Sequence, residues 1–186
     1  MGGKVRLMIT GAAPISDEVK KFFKIVIGAP MIEAYGQTEC SGVCNFVDKR
    51  DPTDGHVGGP SVNNELMVQD VPSMNYTHND EQGVRGEVCV RGLNVMAGYY
   101  KMEEKTAETV DEDGWLHTGD IGIIFPNGRV KIIDRKKNLF KLAQGEYVSP
   151  EKVENIYVKF PYIEESFLHG DSLKRFCVAI VGVNKD

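Results

Sequence analysis

Met31-Ile32-Glu33-Ala34-Tyr35-Gly36-Gln37-Thr38-Glu39 runs from an apolar stretch into a polar loop that carries a glycine. It reads as a strand that ends in an aromatic and hands over to chemistry-bearing residues. Upstream, Val5-Arg6-Leu7-Met8-Ile9-Thr10 is a second apolar-rich run, closed by Gly11. Between the two runs Ser16 is a good N-cap, and Asp17 and Glu18 suit the positive end of a helix. Val19, Phe22, Phe23 and Val26 then recur at helical spacing, and Gly28 can stop the helix. Strand, helix and strand in that order make an α/β unit.

The texture changes between about Glu65 and Asp134, where short β-like runs are split by turn residues. Glu87-Val88-Cys89-Val90-Arg91 alternates polar and apolar, and Ile121 to Phe125 and Arg129 to Ile133 flank the hairpin signal Pro126-Asn127-Gly128. The expectation is a small, mostly antiparallel β-barrel or sandwich. Ser149-Pro150 opens a further helix, with Val153, Ile156, Tyr157 and Phe160 on one face. Phe176 to Val183 is a candidate buried strand. Helix then strand after residue 135 predicts the opening of a separate α+β domain.

With 186 residues the chain can bury one domain, or one domain and part of another. A net charge of −5 gives no overall attraction to nucleic acid or anionic lipid, so no nucleic-acid partner is expected. No apolar run reaches the length of a membrane span, and Met1-Gly2-Gly3-Lys4 lacks a signal-peptide core. Position 6 is Arg, which argues against myristoylation. Cys40, Cys44, Cys89 and Cys177 have no nearby Cys/His set to complete a zinc site and read as reduced thiols of a cytosolic environment.

Four places carry residue types suited to chemistry. In Tyr35 to Glu39 the aromatic offers a flat surface at a sheet edge, and Gly36 permits close backbone approach. Gln37 and Thr38 follow as polar loop residues, the Thr38 hydroxyl and N–H suiting a phosphate. Glu39 is a hard oxygen donor for Mg²⁺. Alone, the segment reads equally as a polar loop after a strand. Gly11-Ala12-Ala13-Pro14 leaves room for a flat base, or is a tight turn before a helix. In Trp115-Leu116-His117-Thr118-Gly119-Asp120, Asp120 can accept two hydrogen bonds from a ribose diol, or cap a turn. His117 has no visible partner in sequence and reads as a structural histidine. Asp134-Arg135-Lys136-Lys137 is a turn former with three cations, and otherwise a solvated charged run. Gly145-Glu146 between amphipathic segments can let an extended thiol-bearing ligand pass close to backbone.

Three segments, in order and at characteristic spacing, resemble the adenylate-forming enzymes: Glu33 to Glu39, Gly114 to Asp120, and Asp134 to Pro150. Val5 to Pro14, Gly55-His56-Val57-Gly58 and Gly86-Glu87-Val88 through Met96-Ala97-Gly98-Tyr99-Tyr100 also fit. Lys137-Asn138-Leu139-Phe140-Lys141-Leu142-Ala143-Gln144-Gly145-Glu146-Tyr147 and His169-Gly170-Asp171-Ser172-Leu173 look like the long-chain fatty acyl-CoA synthetase version.

The resemblance implies an α/β fold with a β-barrel subdomain. Residues 1–134 would be the distal part of a large adenylation domain, β-rich over about 65–134. Residues 135–186 would begin a mobile C-terminal domain. It implies a two-step reaction on a long-chain fatty acid, with ATP, Mg²⁺ and CoA. Tyr35 would stack on adenine beside Gly11, Ala12 and Ala13, flanked by Gly36 and Gln37. Thr38 would hold the α-phosphate and Glu39 the Mg²⁺. Asp120 and Arg135 would bind the ribose, Asp134 would be the hinge, and Gly145 and Glu146 would line the CoA path. The family's Ser/Thr/Gly-rich phosphate loop is not in this sequence, and no GxxxxGK[ST] replaces it. Its lysine near the end of the small domain is not here either. The expectation is an internal fragment, located in the cytoplasm or on the cytosolic face of the endoplasmic reticulum, mitochondrial outer membrane or peroxisome. Membrane association would run through regions outside this chain. Two rival readings stay open: an adenylate former acting on another carboxylate, and a catalytically incomplete AMP/ATP-binding fragment.

Overall fold

A computed structural model describes residues 2–13, 15–79 and 83–184. Pro14 and Met1, both read above, lie outside the described residues. The chain divides into two units, Met1–Thr118 with Gly122–Ile132, and Gly119–Ile121 with Ile133–Asp186.

The first unit opens with β1 (Met8–Thr10), α1 (Asp17–Ile27) and β2 (Met31–Tyr35), the two strands parallel. The local signals act as the sequence predicts. Ser16 Oγ accepts the Val19 N–H at 3.3 Å, and Gly28 takes a left-handed φ of 68° while its N–H bonds Lys24 O. What α1 buries is different. The predicted stripe is exposed, Phe22 at 58%, and the buried position is Lys20 at 3%. Its ammonium sits 2.8 Å from Glu33 on β2 and 2.9 Å from Asp17. Burial pulls the Lys20 pKa down, the bonds to Glu33 and Asp17 outweigh it, and the net shift is upward. The helix is thus seated on its strand by an ion pair, and among the described residues nothing covers the apolar stripe.

β3 (Asn45–Phe46) and β4 (Gly59–Pro60) extend the sheet in the order β1-β2-β3-β4. The connection between β3 and β4 is tied down by His56, which is buried. Its Nδ1 accepts the Gly58 N–H at 3.0 Å, so the proton is on Nε2, 2.8 Å from Thr53 Oγ1. Asp51 lies 3.5 Å from the same Nε2 and 2.8 Å from Arg129. Burial lowers the His56 pKa below 6.5, partly offset by Asp51. A depressed histidine stabilises the fold above its unfolded pKa, and that stability is lost as pH falls through the folded value. Thermal melts should therefore show the unit weakening as pH drops below about 6.5. His56→Gln should melt lower at pH 7.5 yet show a flatter slope below about pH 6.5. An unchanged slope would remove His56 from the account.

β5 (Asn64–Gln69), β6 (Val84–Gly92), α2 (Glu103–Thr109), β7 (Leu116–Ile124) and β8 (Val130–Arg135) form the β-rich part. Its four strands lie in chain order, β5 antiparallel to β6 with Leu66 opposite Val90, as an open sheet with β5 and β8 at its edges. The β7–β8 turn is the one the sequence predicts, with Gly128 at φ 79°. The alternation in β6 does not expose one face, since Glu87, Val88, Cys89 and Val90 are all buried between neighbouring strands. Val88, Val90 and Leu116 share a core with Cys40 and Cys44, and Tyr35 packs against it. The polar loop after β2 therefore stands directly on the unit's core.

The second unit holds β9 (Phe140–Lys141), β10 (Tyr147–Val148), α3 (Pro150–Tyr157), β11 (Ile163–His169) and β12 (Val178–Val183). Pro150 is at the first helical position, as read. The Ser149 hydroxyl does not cap the helix; it donates to Asp134 Oδ2. β12 is not buried. It pairs antiparallel with β11 in a two-stranded sheet and all six of its residues are exposed. Ile156, Tyr157 and Phe160 are also exposed, so here too the pattern marks an apolar face without a cover among the described residues. No described helix is long and apolar enough to cross a membrane.

Candidate functional site

The first unit brings Tyr35 to Glu39 together at the end of β2. Tyr35 O accepts the Cys44 N–H at 2.9 Å, which folds the loop back on itself. Thr38 to Cys40 make one 3₁₀ turn, and Ser41 follows at φ 56°. Gln37 O accepts the N–H groups of Cys40 and Gly42. A hydrogen bond with Cys44 lowers the Cys40 thiol pKa.

Gly36 has a reason the sequence reading missed. A Cβ there would stand 2.1 Å from Gly42 O and 2.8 Å from Val43 Cα. The close backbone approach that glycine permits is to the chain's own returning loop. Gly11 is similar, since its Cβ would meet Ala34 O at 2.7 Å. Gly11 thus packs on the residue before Tyr35, Ala12 takes an unusual φ of 69°, and Ala13 is exposed beside it. Thr38 is exposed.

Glu39 is held from two directions. Its Oε1 accepts the Tyr99 phenol at 2.6 Å, and its carbonyl accepts the Met96 N–H at 2.8 Å. Asn94 Nδ2 donates to Cys40 O at 2.8 Å, and Ser41 Oγ donates to Asn94 O at 2.8 Å. Sequence reasoning placed Met96 to Tyr100 in a family segment but gave Asn94 and Tyr99 no role. They lie over fifty residues from the loop they touch, and no local pattern signals such a contact.

No group of three or more His, Cys, Asp or Glu residues comes together to hold a metal among the described residues. The donor chemistry fits a cation of another kind. Mg²⁺ takes one or two carboxylates and completes its shell with phosphate and water, and one placed carboxylate such as Glu39 meets that need.

His117 does have partners: Nε2 lies 3.2 Å from Asp111 Oδ2 and Nδ1 3.5 Å from Cys89 Sγ. Asp111 also accepts the Trp115 and Asp113 N–H groups, and these bonds, the Trp115 one first, lower its pKa. This is a turn held together by a carboxylate.

The second unit brings Asp120, Asp134 and Arg135 together. Asp120 is 5% exposed, with Oδ1 3.2 Å from Arg135 Nε. Asp134 is 4% exposed, and its Oδ1 accepts the Arg135 N–H at 2.6 Å. Glu151 joins them; burial first, then Asp134 and Glu154, raises its pKa. A buried carboxylate beside a half-exposed guanidinium sets a hydrogen-bond acceptor next to a donor. Gly145, at φ 92°, sits in the β9–β10 turn with its N–H on Leu142 O. A Cβ there would meet only Lys141 Cε at 3.9 Å, so the backbone angle, not space, calls for glycine. Glu146 is exposed and close to Gln144.

Residues 1–100 match the family described as "AMP-binding enzyme". The chain is 53% identical over all 186 residues to the peroxisomal long chain acyl-CoA synthetase 6 of Arabidopsis thaliana, and spans 26% of that protein. It is 53% identical over 181 residues to the human long-chain-fatty-acid–CoA ligase 1, covering 97% of this chain and 26% of the relative. It is also similar to the A domain of the carboxylic acid reductase from Segniliparus rugosus, solved with AMP and a co-purified carboxylic acid. That likeness has a TM-score of 0.83 at 32% identity, over 99% of this chain and 28% of the solved one. The chain thus spans about a quarter of the length of the curated relatives it matches.

Proposed function

The chain belongs to the AMP-binding enzymes, and from that premise we propose that it is a segment of a long-chain fatty acid–CoA ligase. The observation that carries the proposal is identity above 50%, over 97% or more of the chain, to relatives named long chain acyl-CoA synthetase or long-chain-fatty-acid–CoA ligase. The Phe140 to Tyr147 segment argues against a ligase for an aryl or short-chain acid.

In the parent reaction a fatty acid carboxylate attacks the α-phosphate of ATP, giving an acyl-adenylate and pyrophosphate. The CoA thiol then displaces AMP and leaves the thioester. The protein's part is positioning and charge stabilisation. Tyr35 offers its ring to adenine, with Gly11, Ala12 and Ala13 beside it and Gly36 and Gln37 shaping the loop. Thr38 donates to the α-phosphate. Glu39 would hold Mg²⁺, which supplies positive charge to the phosphate oxygens. Asp120 accepts from the ribose hydroxyls, and Arg135 is its partner. Asp134, fastened to both Arg135 and Ser149, is the hinge between the two steps, and Gly145 and Glu146 line the CoA path. By this reading residues 1–134 belong to the adenylation domain and 135–186 open the mobile one.

The experiment is palmitate-dependent ATP–pyrophosphate exchange by a full-length enzyme carrying this segment, followed by acyl-CoA release. Exchange with benzoate or acetate but not palmitate would favour the other-carboxylate reading. Nucleotide binding without exchange would favour a catalytically incomplete protein. In the same enzyme, Asp120→Ala should weaken ATP binding by about 1.5–3 kcal/mol, the worth of a hydrogen bond to a charged acceptor. Unchanged affinity by calorimetry would end the ribose assignment.

A further inference from the structure

The Glu39 carboxylate is on a side chain with three torsions, yet it is fixed in place. Tyr99 does this: its phenol donates to Oε1 at 2.6 Å. Tyr99 is itself braced. Its N–H bonds Thr106 Oγ1 at 2.9 Å on α2, and the Lys105 ammonium stands 4.4 Å from its ring centroid. Gly98 brings the chain so close to Thr106 that a Cβ would meet Thr106 Cγ2 at 2.8 Å. The same stretch grips the loop backbone through Met96 on Glu39 O and Asn94 on Cys40 O.

We infer that Tyr99 is a positioning residue for Glu39, holding one carboxylate oxygen so that the carboxylate is preset for a divalent cation on the nucleotide phosphates. The inference rests on the reading of Glu39 as that cation's ligand. A side chain ordered before binding loses less freedom when the ligand arrives, and the saving appears as affinity. Tyr99 therefore affects the cation and leaves the adenine and ribose contacts alone.

The test uses Mn²⁺ as the probe, titrated into the ATP-loaded full-length enzyme and followed by its paramagnetic resonance signal. Tyr99→Phe should weaken Mn²⁺ retention about tenfold, the order expected for one hydrogen bond to a charged group. AMP affinity without metal should stay within about twofold. Glu39→Gln should weaken Mn²⁺ at least as much, and Tyr99→Phe added to it should change nothing further. If Glu39→Gln weakens Mn²⁺ and Tyr99→Phe does not, the inference is overturned and the Glu39 reading stands. If Glu39→Gln leaves Mn²⁺ unchanged, the Glu39 reading falls and the inference with it. Loss of AMP affinity in Tyr99→Phe, or a further Mn²⁺ loss in the double variant, would show a general structural role and overturn the inference.

Discussion

Gly36→Ala is expected to abolish measurable nucleotide binding in a full-length enzyme and to lower the melting temperature of the 186-residue chain by on the order of 10 °C. The added carbon would lie 2.1 Å from Gly42 O and 2.8 Å from Val43 Cα, both backbone. No side chain can swing aside, so the two strands of the loop must separate. Overpacking of this kind costs about 1–3 kcal/mol and more when the neighbour is fixed, and each kcal/mol moves a domain of this size by several degrees. Separation would also pull Cys44 N from Tyr35 O, the bond that closes the loop. Gly42→Ala is the control. Its Cβ meets nothing, and the cost is only that of a φ near 104°, about 1–2 kcal/mol. A Gly36→Ala chain that melts like the wild type and a full-length variant that still binds AMP would refute the close approach.

The 186-residue chain by itself is expected to make no acyl-CoA from palmitate, ATP and CoA. Its sequence has no Ser/Thr/Gly-rich phosphate loop and no GxxxxGK[ST], so the β- and γ-phosphates lack their usual cradle. Removing one transition-state donor costs about 10²–10³ in rate, and here several are missing together. AMP binding is the weaker demand, because the residues proposed to meet adenine and ribose are within the chain. A mass-spectrometric thioester assay on pure protein, beside an AMP titration, checks both halves. Turnover that requires Mg²⁺ would show that the reacting phosphates are held by residues not assigned here.

What the sequence made legible was local. The α1 caps at Ser16 and Gly28, the β7–β8 turn at Gly128 and Pro150 at the start of α3 rest on neighbours within four residues. What it hid was non-local. Tyr99 reaches Glu39 across sixty positions, and Asp134 rather than the helix takes the Ser149 hydroxyl. Helical spacing correctly announced an apolar stripe on α1, but spacing says nothing of what lies opposite, and the buried contact turned out to be Lys20 on Glu33. The alternation in β6 failed for a related reason: a central strand covered on both faces buries its polar positions as well. Of the candidate site, the residue types and their order were readable. The reason for Gly36, the pairing of Asp120 with Arg135 and the grip of Asn94 on the loop arise only when the chain folds back on itself.

The exposed β12 strand has a practical side. Val178-Ala179-Ile180-Val181-Gly182-Val183 carries no charge and no proline, and among the described residues it pairs on one edge only, with β11. Such an edge is a template on which further strands can add. Handled at high concentration, the chain should turn cloudy with time and warmth, losing soluble protein by a process that accelerates with concentration. Ile180→Lys should keep it clear, because a charge on the strand opposes the addition of further strands.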